Sequence, residues 1–240
     1  MNLREEIGKK GYLLLHNFLT QKQCDDILEI IRQYGEKYTV PRIKRPAKPI
    51  PLIYSVIDGD AIHARLPEIV TACKVIDDLV DREFDHELVP LRYQRARHNI
   101  NITEPGGSYR WHYDVFPLTG LLYLNSVEQG ELVFHPGYRI RVPGGLDGWG
   151  QRWADRLLLA EPVKRIFSKQ VTVKPEPGLL FLFHGMTTLH SVRRVTGHKE
   201  RVVMTFGYDY PNAEIPVRNQ LNEYLFTPDD VGERDPNYLS

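Results

Sequence analysis

The segment Pro105–Asn125, PGGSYRWHYDVFPLTGLLYLN, decides how this chain is read. It opens on a glycine turn, Pro105-Gly106-Gly107, passes through His112-Tyr113-Asp114, and ends on an apolar strand, Leu121-Leu122-Tyr123-Leu124-Asn125. Two residues separated by one in an extended segment point to the same side, so His112 and Asp114 can converge on one ion. A distant histidine would complete one face of an octahedron. Two histidines and one carboxylate leave three adjacent positions free, the arrangement that selects non-haem iron(II). On its own an H-x-D is weak evidence, because short pairs of this kind arise by chance.

Working outward, Gly130-Glu131-Leu132 opens the next strand. Farther on, Pro177-Gly178-Leu179-Leu180-Phe181 leads into Leu189-His190-Ser191-Val192, followed by Val195, Gly197 and Arg201. Glycine and proline punctuate short apolar runs throughout this half, predicting strands at Leu91–Thr103, Gly120–Asn125, Glu131–His135, Lys169–Lys174, Leu179–His184 and Arg201–Tyr208. Before them, Gly11–Phe18 reads as a strand. Thr20 then caps a helix over Gln21–Tyr34, and a second helix over Ala64–Arg82 carries Ile69, Val70, Cys73, Ile76 and Val80 on one stripe. The proline- and cation-rich run Pro41–Pro51 reads as an extended loop. Helices in front and six or more short strands behind predict a mostly β fold, a sandwich or open barrel of antiparallel strands supported on one side by helices.

At 240 residues the chain is long enough for one substantial core, and one domain is expected. Residues 1–90 would be helical support and 91–210 the barrel core. Thirty-one basic and 31 acidic residues balance, so no global field points to nucleic acid, an anionic membrane or a polyacidic substrate. Cys24 and Cys73 form no metal or redox motif and read as reduced, buried thiols. The charged opening lacks a signal peptide's apolar stretch and no membrane-spanning run exists, so a soluble cytoplasmic protein is expected. Between the barrel strands, residues 136–170 form a long insertion with a glycine cluster and an amphipathic helix through Trp149, Trp153, Leu157 and Leu158. Its length makes it the candidate segment for covering a substrate.

The ordered series H-x-D, Y-L-N, G-E-L, P-G-x-L-x-x-F, H-x-V-x-x-V-x-G and then Arg resembles the iron(II)- and 2-oxoglutarate-dependent dioxygenase superfamily. The prolyl-4-hydroxylase-like and phytanoyl-hydroxylase-like branches resemble it most, and the opening GYLLLHNFLTQKQCDDIL is similar to theirs. The resemblance implies a double-stranded β-helix, a jelly-roll, cupin-like barrel with N-terminal helices. It maps His112, Asp114 and His190 onto the catalytic metal triad, and Arg201 onto the basic residue that pairs with the far carboxylate of 2-oxoglutarate, which a guanidinium can grip bidentately. Arg201 lies eleven residues after His190 where ten is commoner, and Lys199 shares its parity. Arg201 is preferred because it leads directly into the strand Val202–Phe206.

The same resemblance makes Tyr123, Asn99 and Asn101 candidates for holding the cosubstrate. Asn99 and Asn101 fall on one face of the strand before the H-x-D, together with Tyr93, Arg95 and Arg97. Arg97 is a candidate for the substrate, as are Trp149 and Trp153, whose rings would line an apolar pocket or pack their helix onto the barrel. Arg95, Arg139 and Arg141 are further cations that could meet an anionic group. His184 is the rival third ligand, set aside because the Val192, Val195 and Gly197 pattern follows His190.

The implied chemistry is hydroxylation of an unactivated C–H bond with Fe(II), 2-oxoglutarate and O2, releasing succinate and CO2, with ascorbate as a candidate reductant. Asp114 disfavours halogenation, since relatives that chlorinate carry a small residue there. A small-molecule substrate, an amino acid or a biosynthetic intermediate, is expected because no recruitment module is visible. The alternatives are a peptidyl hydroxylase of the same superfamily, a non-catalytic barrel, and a 2-oxoglutarate-independent cupin-type metal protein.

Overall fold

Two sheets of unequal width face each other in a double-stranded β-helix. The structure, a computed structural model, describes residues 3–45, 51–143, 148–160, 162–164, 169–213 and 225–228. An eight-stranded sheet runs β1 (Tyr12–Leu15), β11 (Leu180–Phe183), β7 (Leu118–Tyr123), β14 (Arg201–Asp209), β5 (His98–Thr103), β3 (Leu52–Ile57) and β2 (Arg42–Arg45), with β4 (Val89–Pro90) paired to the end of β14. The smaller sheet runs β10 (Val171–Val173), β9 (Leu132–His135), β12 (Leu189–Val192) and β6 (Tyr109–His112). A third, two-stranded pair joins β8 (Glu128–Gln129) to β13 (Val195–Thr196).

Alternation along the strands divides the core in two. In β14, Val202, Met204, Phe206 and Tyr208 point outward to the helices, while Val203 joins Tyr123, Phe181 and Phe183 on the inner face. There they meet Leu132, Phe134, Val173 and Val192 of the smaller sheet. Both faces of the wide sheet are therefore covered, which is why Leu179–Phe183 is a continuous apolar run and not an alternating one. Helix α2 (Gln21–Lys37) buries Cys24, Ile27, Ile31 and Tyr34 against the outer face, and α4 (Pro67–Glu83) buries Ile69, Cys73, Ile76 and Val80. Both cysteines are unpaired and buried.

Helix α2 begins where Thr20 accepts from the Gln23 amide at 3.3 Å and the Gln23 side chain accepts from the Thr20 amide at 2.9 Å, a full capping box. Thr20→Ala is expected to lower stability by about 1 kcal/mol, read as a lower urea midpoint at unchanged slope. A midpoint equal to wild type would mean that the cap adds nothing.

Four expectations need correction. The second helix is two, α3 (Gly59–Arg65) and α4, because Pro67 bars the helical conformation at Leu66 (φ −129°, ψ 65°) and itself starts α4. The Pro41–Pro51 loop contains β2, which pairs with β3 through Ile43↔Tyr54 and lies at the sheet edge, where flanking prolines are tolerated. Residues 46–50 fall outside the described residues. The Leu91–Thr103 strand begins only at His98, since Gln94–Arg97 turns into a short helix, α5. Residues 1–90 are also more than helical support, contributing α1 (Leu3–Lys10) and four of the strands in the wide sheet. Among the described residues no helix is long and apolar enough to cross a membrane.

Candidate metal centre

The smaller sheet brings the two histidines together. His190 of β12 and His112 of β6 are direct cross-strand partners, with ring centroids 4.1 Å apart. Asp114 lies two residues past the end of β6, where its amide donates to Gly185 O at 3.1 Å. Its Oδ1 stands 3.6 Å from His112 Nε2 and 3.5 Å from His190 Nε2. One ligand atom from each of the three falls within 4.8 Å of the others. A β-carbon at Gly185 would sit 2.9 Å from that of Asp114 and 2.7 Å from Phe116 O, so only glycine permits this approach.

Hydrogen bonds behind the three side chains orient them. His112 Nδ1 donates to Arg110 O at 2.8 Å and His190 Nδ1 donates to Thr188 O at 3.0 Å, an assignment made from the acceptor carbonyls. Protons held there leave both Nε2 lone pairs directed at Asp114. Thr119 donates to Asp114 Oδ2 at 2.6 Å, fixing that oxygen and turning Oδ1 inward. Two imidazole nitrogens and one carboxylate oxygen thus converge as acceptors, a donor set that fits a divalent transition metal and matches the two-histidine, one-carboxylate pattern of non-haem iron. Tyr113, between the two, is buried in the opposite direction, under the guanidinium of Arg139 at 4.6 Å.

The triad opens on a cavity of about 210 Å³ between the sheets. The strand register lays its floor in rows. Val203 pairs with Asn101 on one side and Tyr123 on the other, and Thr205 pairs with Asn99 and Leu121; of these Tyr123 alone is buried behind the lining. Arg201, on the same face of β14, is 3% exposed, and its Nε has no hydrogen-bond partner. Among the described residues no carboxylate pairs with it. A buried guanidinium with an unused donor fits a small anionic ligand, because leaving it unpaired is costly. Its Cζ lies 5.1 Å from the Tyr123 ring. Burial pushes the Tyr123 phenol above its ordinary value and Arg201 opposes that shift.

Asn99, Asn101 and Arg201 all line the cavity, while Lys199 stands exposed at the surface. His184 is not part of the ligand cluster, and burial pushes its pKa down. Arg97 is not on the cavity face, since α5 turns it to donate to Leu91 O at 2.6 Å. Arg95 and Arg139 are engaged by Asp58 and Asp155, and Arg141 is exposed.

The insertion is the largest departure. Its helix α6 (Trp149–Leu158) buries Gln151, Asp155 and Leu158, and Leu158 packs with Tyr113, Tyr138 and Leu189 outside the smaller sheet. Trp149 and Trp153 are 86% and 65% exposed and neither line the cavity nor pack the helix down. No described residue of 136–170 reaches the cavity. Residues 144–147, 161 and 165–168 lie outside the described residues.

Sequence reasoning passed over Tyr109, Tyr54, Leu225 and Phe226, which all line the cavity. Tyr109 is three residues before His112, the wrong parity for a shared face. A register irregularity between β6 and β12 puts both in the cavity. Asn101 donates to the Tyr109 hydroxyl at 2.5 Å, and burial raises that phenol well above its usual range.

Residues 96–208 match the model of the 2OG-Fe(II) oxygenase superfamily. No curated protein sequence matches the chain. Among solved structures it is similar to the non-heme alpha ketoglutarate dependent epimerase SnoN from nogalamycin biosynthesis, at 16% identity and a TM-score of 0.65 over 87% of this chain and 82% of that one. A prolyl-4-hydroxylase from Pseudomonas putida gives 16% identity and a TM-score of 0.57 over 88% and 99%. HygX from Streptomyces hygroscopicus, solved with nickel and 2-oxoglutarate bound, gives 14% identity and 0.59 over 88% and 87%. Identities this low speak for the fold.

Proposed function

We propose that this chain, whose residues 96–208 match the 2OG-Fe(II) oxygenase superfamily, is a dioxygenase-type enzyme that works with iron(II) and 2-oxoglutarate, that His112, Asp114 and His190 hold the iron, that Arg201 receives the cosubstrate, and that the reaction is hydroxylation of a small molecule. Bound at this centre, iron(II) with 2-oxoglutarate and O2 would supply the oxidant for an unactivated C–H bond, one oxygen atom of O2 entering the substrate as hydroxyl and the other entering succinate as CO2 is released.

The remaining work belongs to the chain. The carbonyls of Arg110 and Thr188 keep both imidazoles in the tautomer that offers Nε2, and Thr119 holds the unused oxygen of Asp114. Arg201 neutralises and orients a carboxylate inside the cavity, with Asn101 and Tyr109 as polar neighbours and Tyr123 against its guanidinium. Asn99 and Thr205, one row toward the other end, are positioned to orient a substrate. The observation that carries this reading is the convergence of His112, Asp114 and His190 on a cavity that also contains the buried Arg201.

Arg201 has a separable test. Anaerobic titration of the iron(II)-loaded protein with 2-oxoglutarate is expected to develop a weak visible charge-transfer band. In Arg201→Gln the same band is expected at a cosubstrate concentration raised by about 10- to 100-fold, the loss of one charge-assisted pair. Half-saturation equal to wild type would remove Arg201 from the cosubstrate site. Absence of the band from wild type, with iron bound, would remove 2-oxoglutarate.

A further inference from the structure

The two sheets do not match in width, and the mismatch has been filled by a distant piece of chain. Strands β3 and β2 extend the wide sheet beyond β5, and their inward residues Ile43, Arg45, Leu52, Tyr54 and Val56 are all buried. The smaller sheet ends at β6. Over the overhang lies the segment 225–228, whose Phe226 packs into one cluster with Ile43, Leu52, Tyr54 and Val56.

Three side chains hold this segment by its backbone. Tyr54 donates to Leu225 O at 2.6 Å, Arg95 donates to Phe226 O at 3.5 Å, and Arg45 donates to Thr227 O at 2.6 Å. They come from β3, α5 and β2, so three different elements grip three consecutive carbonyls. Arg45 is only 2% exposed, and Arg95 is itself anchored by Asp58 at 2.9 Å. With their carbonyls held by these donors, Leu225 and Phe226 also line the cavity. Arg95 also lies over the Phe226 ring, 5.5 Å from its centroid.

We infer that Leu225 and Phe226 form a wall of the substrate chamber, and that the chamber takes an uncharged, largely apolar small molecule. The inference rests on the proposed function and narrows it. Among the described residues that line the cavity, the charged side chains are Asp114 and Arg201, and both are committed to metal and cosubstrate. Asn99, Thr119 and Thr205 offer hydrogen bonds without charge, and the wall adds only apolar surface. A free amino acid would bring an ammonium and a carboxylate into this space with no opposite charge to meet either. Burying unpaired charges costs several kcal/mol each, so zwitterions and anions are rejected and a neutral ring or chain is admitted.

The test uses the whole chain loaded with iron(II) and 2-oxoglutarate in the absence of oxygen. The neutral fluorophore phenylnaphthylamine is titrated in and challenged with naphthalenemethanol, naphthaleneacetate and naphthalenemethylammonium. Binding of the probe is expected, with the alcohol displacing it at concentrations more than about tenfold below those of either ion. Phe226→Ala is expected to weaken the probe about tenfold or more, while Phe226→Leu, which keeps an apolar contact, changes it by less than about threefold. The wall is overturned if Phe226→Ala binds the probe as wild type does. The substrate class is overturned if the ions compete as well as the alcohol, or if the probe does not bind. The charge-transfer band, read in the same samples, judges the iron assignment separately: its loss would sink that reading and leave the probe results to judge the chamber.

Discussion

His190→Ala is expected to lose its iron. A structural metal is held by roughly 10–16 kcal/mol spread over about four ligands, so one ligand carries roughly 3 kcal/mol, and its removal should weaken binding more than about 100-fold. The effect should be visible as sub-stoichiometric metal after desalting, no charge-transfer band with 2-oxoglutarate, and no cosubstrate turnover. Asp114→Ala should behave alike. His190 is 5% exposed inside β12, so its truncation also leaves a gap in the smaller sheet. His190→Asn, closer in shape, separates ligand loss from that gap. Full iron content in a folded His190→Asn variant would show that the cluster is not the metal centre.

The second large effect concerns stability. Gly178→Ala is expected to destabilise the fold by about 3–5 kcal/mol, a large share of the roughly 5–15 kcal/mol available to a domain. Gly178 has φ +77°, where a β-carbon costs about 1–2 kcal/mol. That carbon would also lie 1.9 Å from Leu19 O. Relief is not available, because Gly178 O accepts from the amides of Phe18 and Leu19 and its own amide donates to Tyr123 O at 2.9 Å. The turn therefore joins β11, the end of β7 and the entry to α2, and moving it would move all three. Urea unfolding of the variant within about 1 kcal/mol of wild type would mean that the backbone yields more easily than this packing implies.

What was legible in the sequence was whatever chemistry requires locally. The H-x-D and the glycine-flanked strands pointed to two of the three side chains that the structure clusters, and His190, the third, followed from the order of motifs. Arg201 followed from the resemblance and its place at the head of β14, and the shared face of Asn99 and Asn101 followed from parity, because β14 and β5 are regular over that stretch. Parity failed at Tyr109, where the β6–β12 register shifts, and at Arg97, where the chain turns helical before β5 begins.

The helix of the insertion was legible but its face was not. An apolar stripe through Trp149, Trp153 and Leu157 reads as the inward side. In the fold that stripe is exposed, and the buried side is polar. Asp155 pairs with Arg139 at 2.6 Å, and Gln151 bridges Ile140 O and the Val142 amide. A buried polar network can hold a helix when every group is satisfied, and hydrophobic periodicity is blind to it. Leu225 and Phe226 carried no local signal at all. Their place is set by Arg45, Tyr54 and Arg95, which lie more than a hundred residues earlier.

The wide sheet also dictates how this chain must fold. Its edge strand β1 pairs Tyr12 with Phe183 and Leu15 with Leu180, so the beginning of the described chain closes a sheet whose neighbours come from its far end. Pairings of such long sequence separation place a protein among the slow folders, on millisecond to second timescales or beyond. Until β1 arrives, β11 is an open edge reading Leu-Phe-Leu-Phe, without a charge to deter another copy from adding on. During synthesis or refolding, the same strand that supports the cavity is therefore the segment through which unfinished chains would stick to one another.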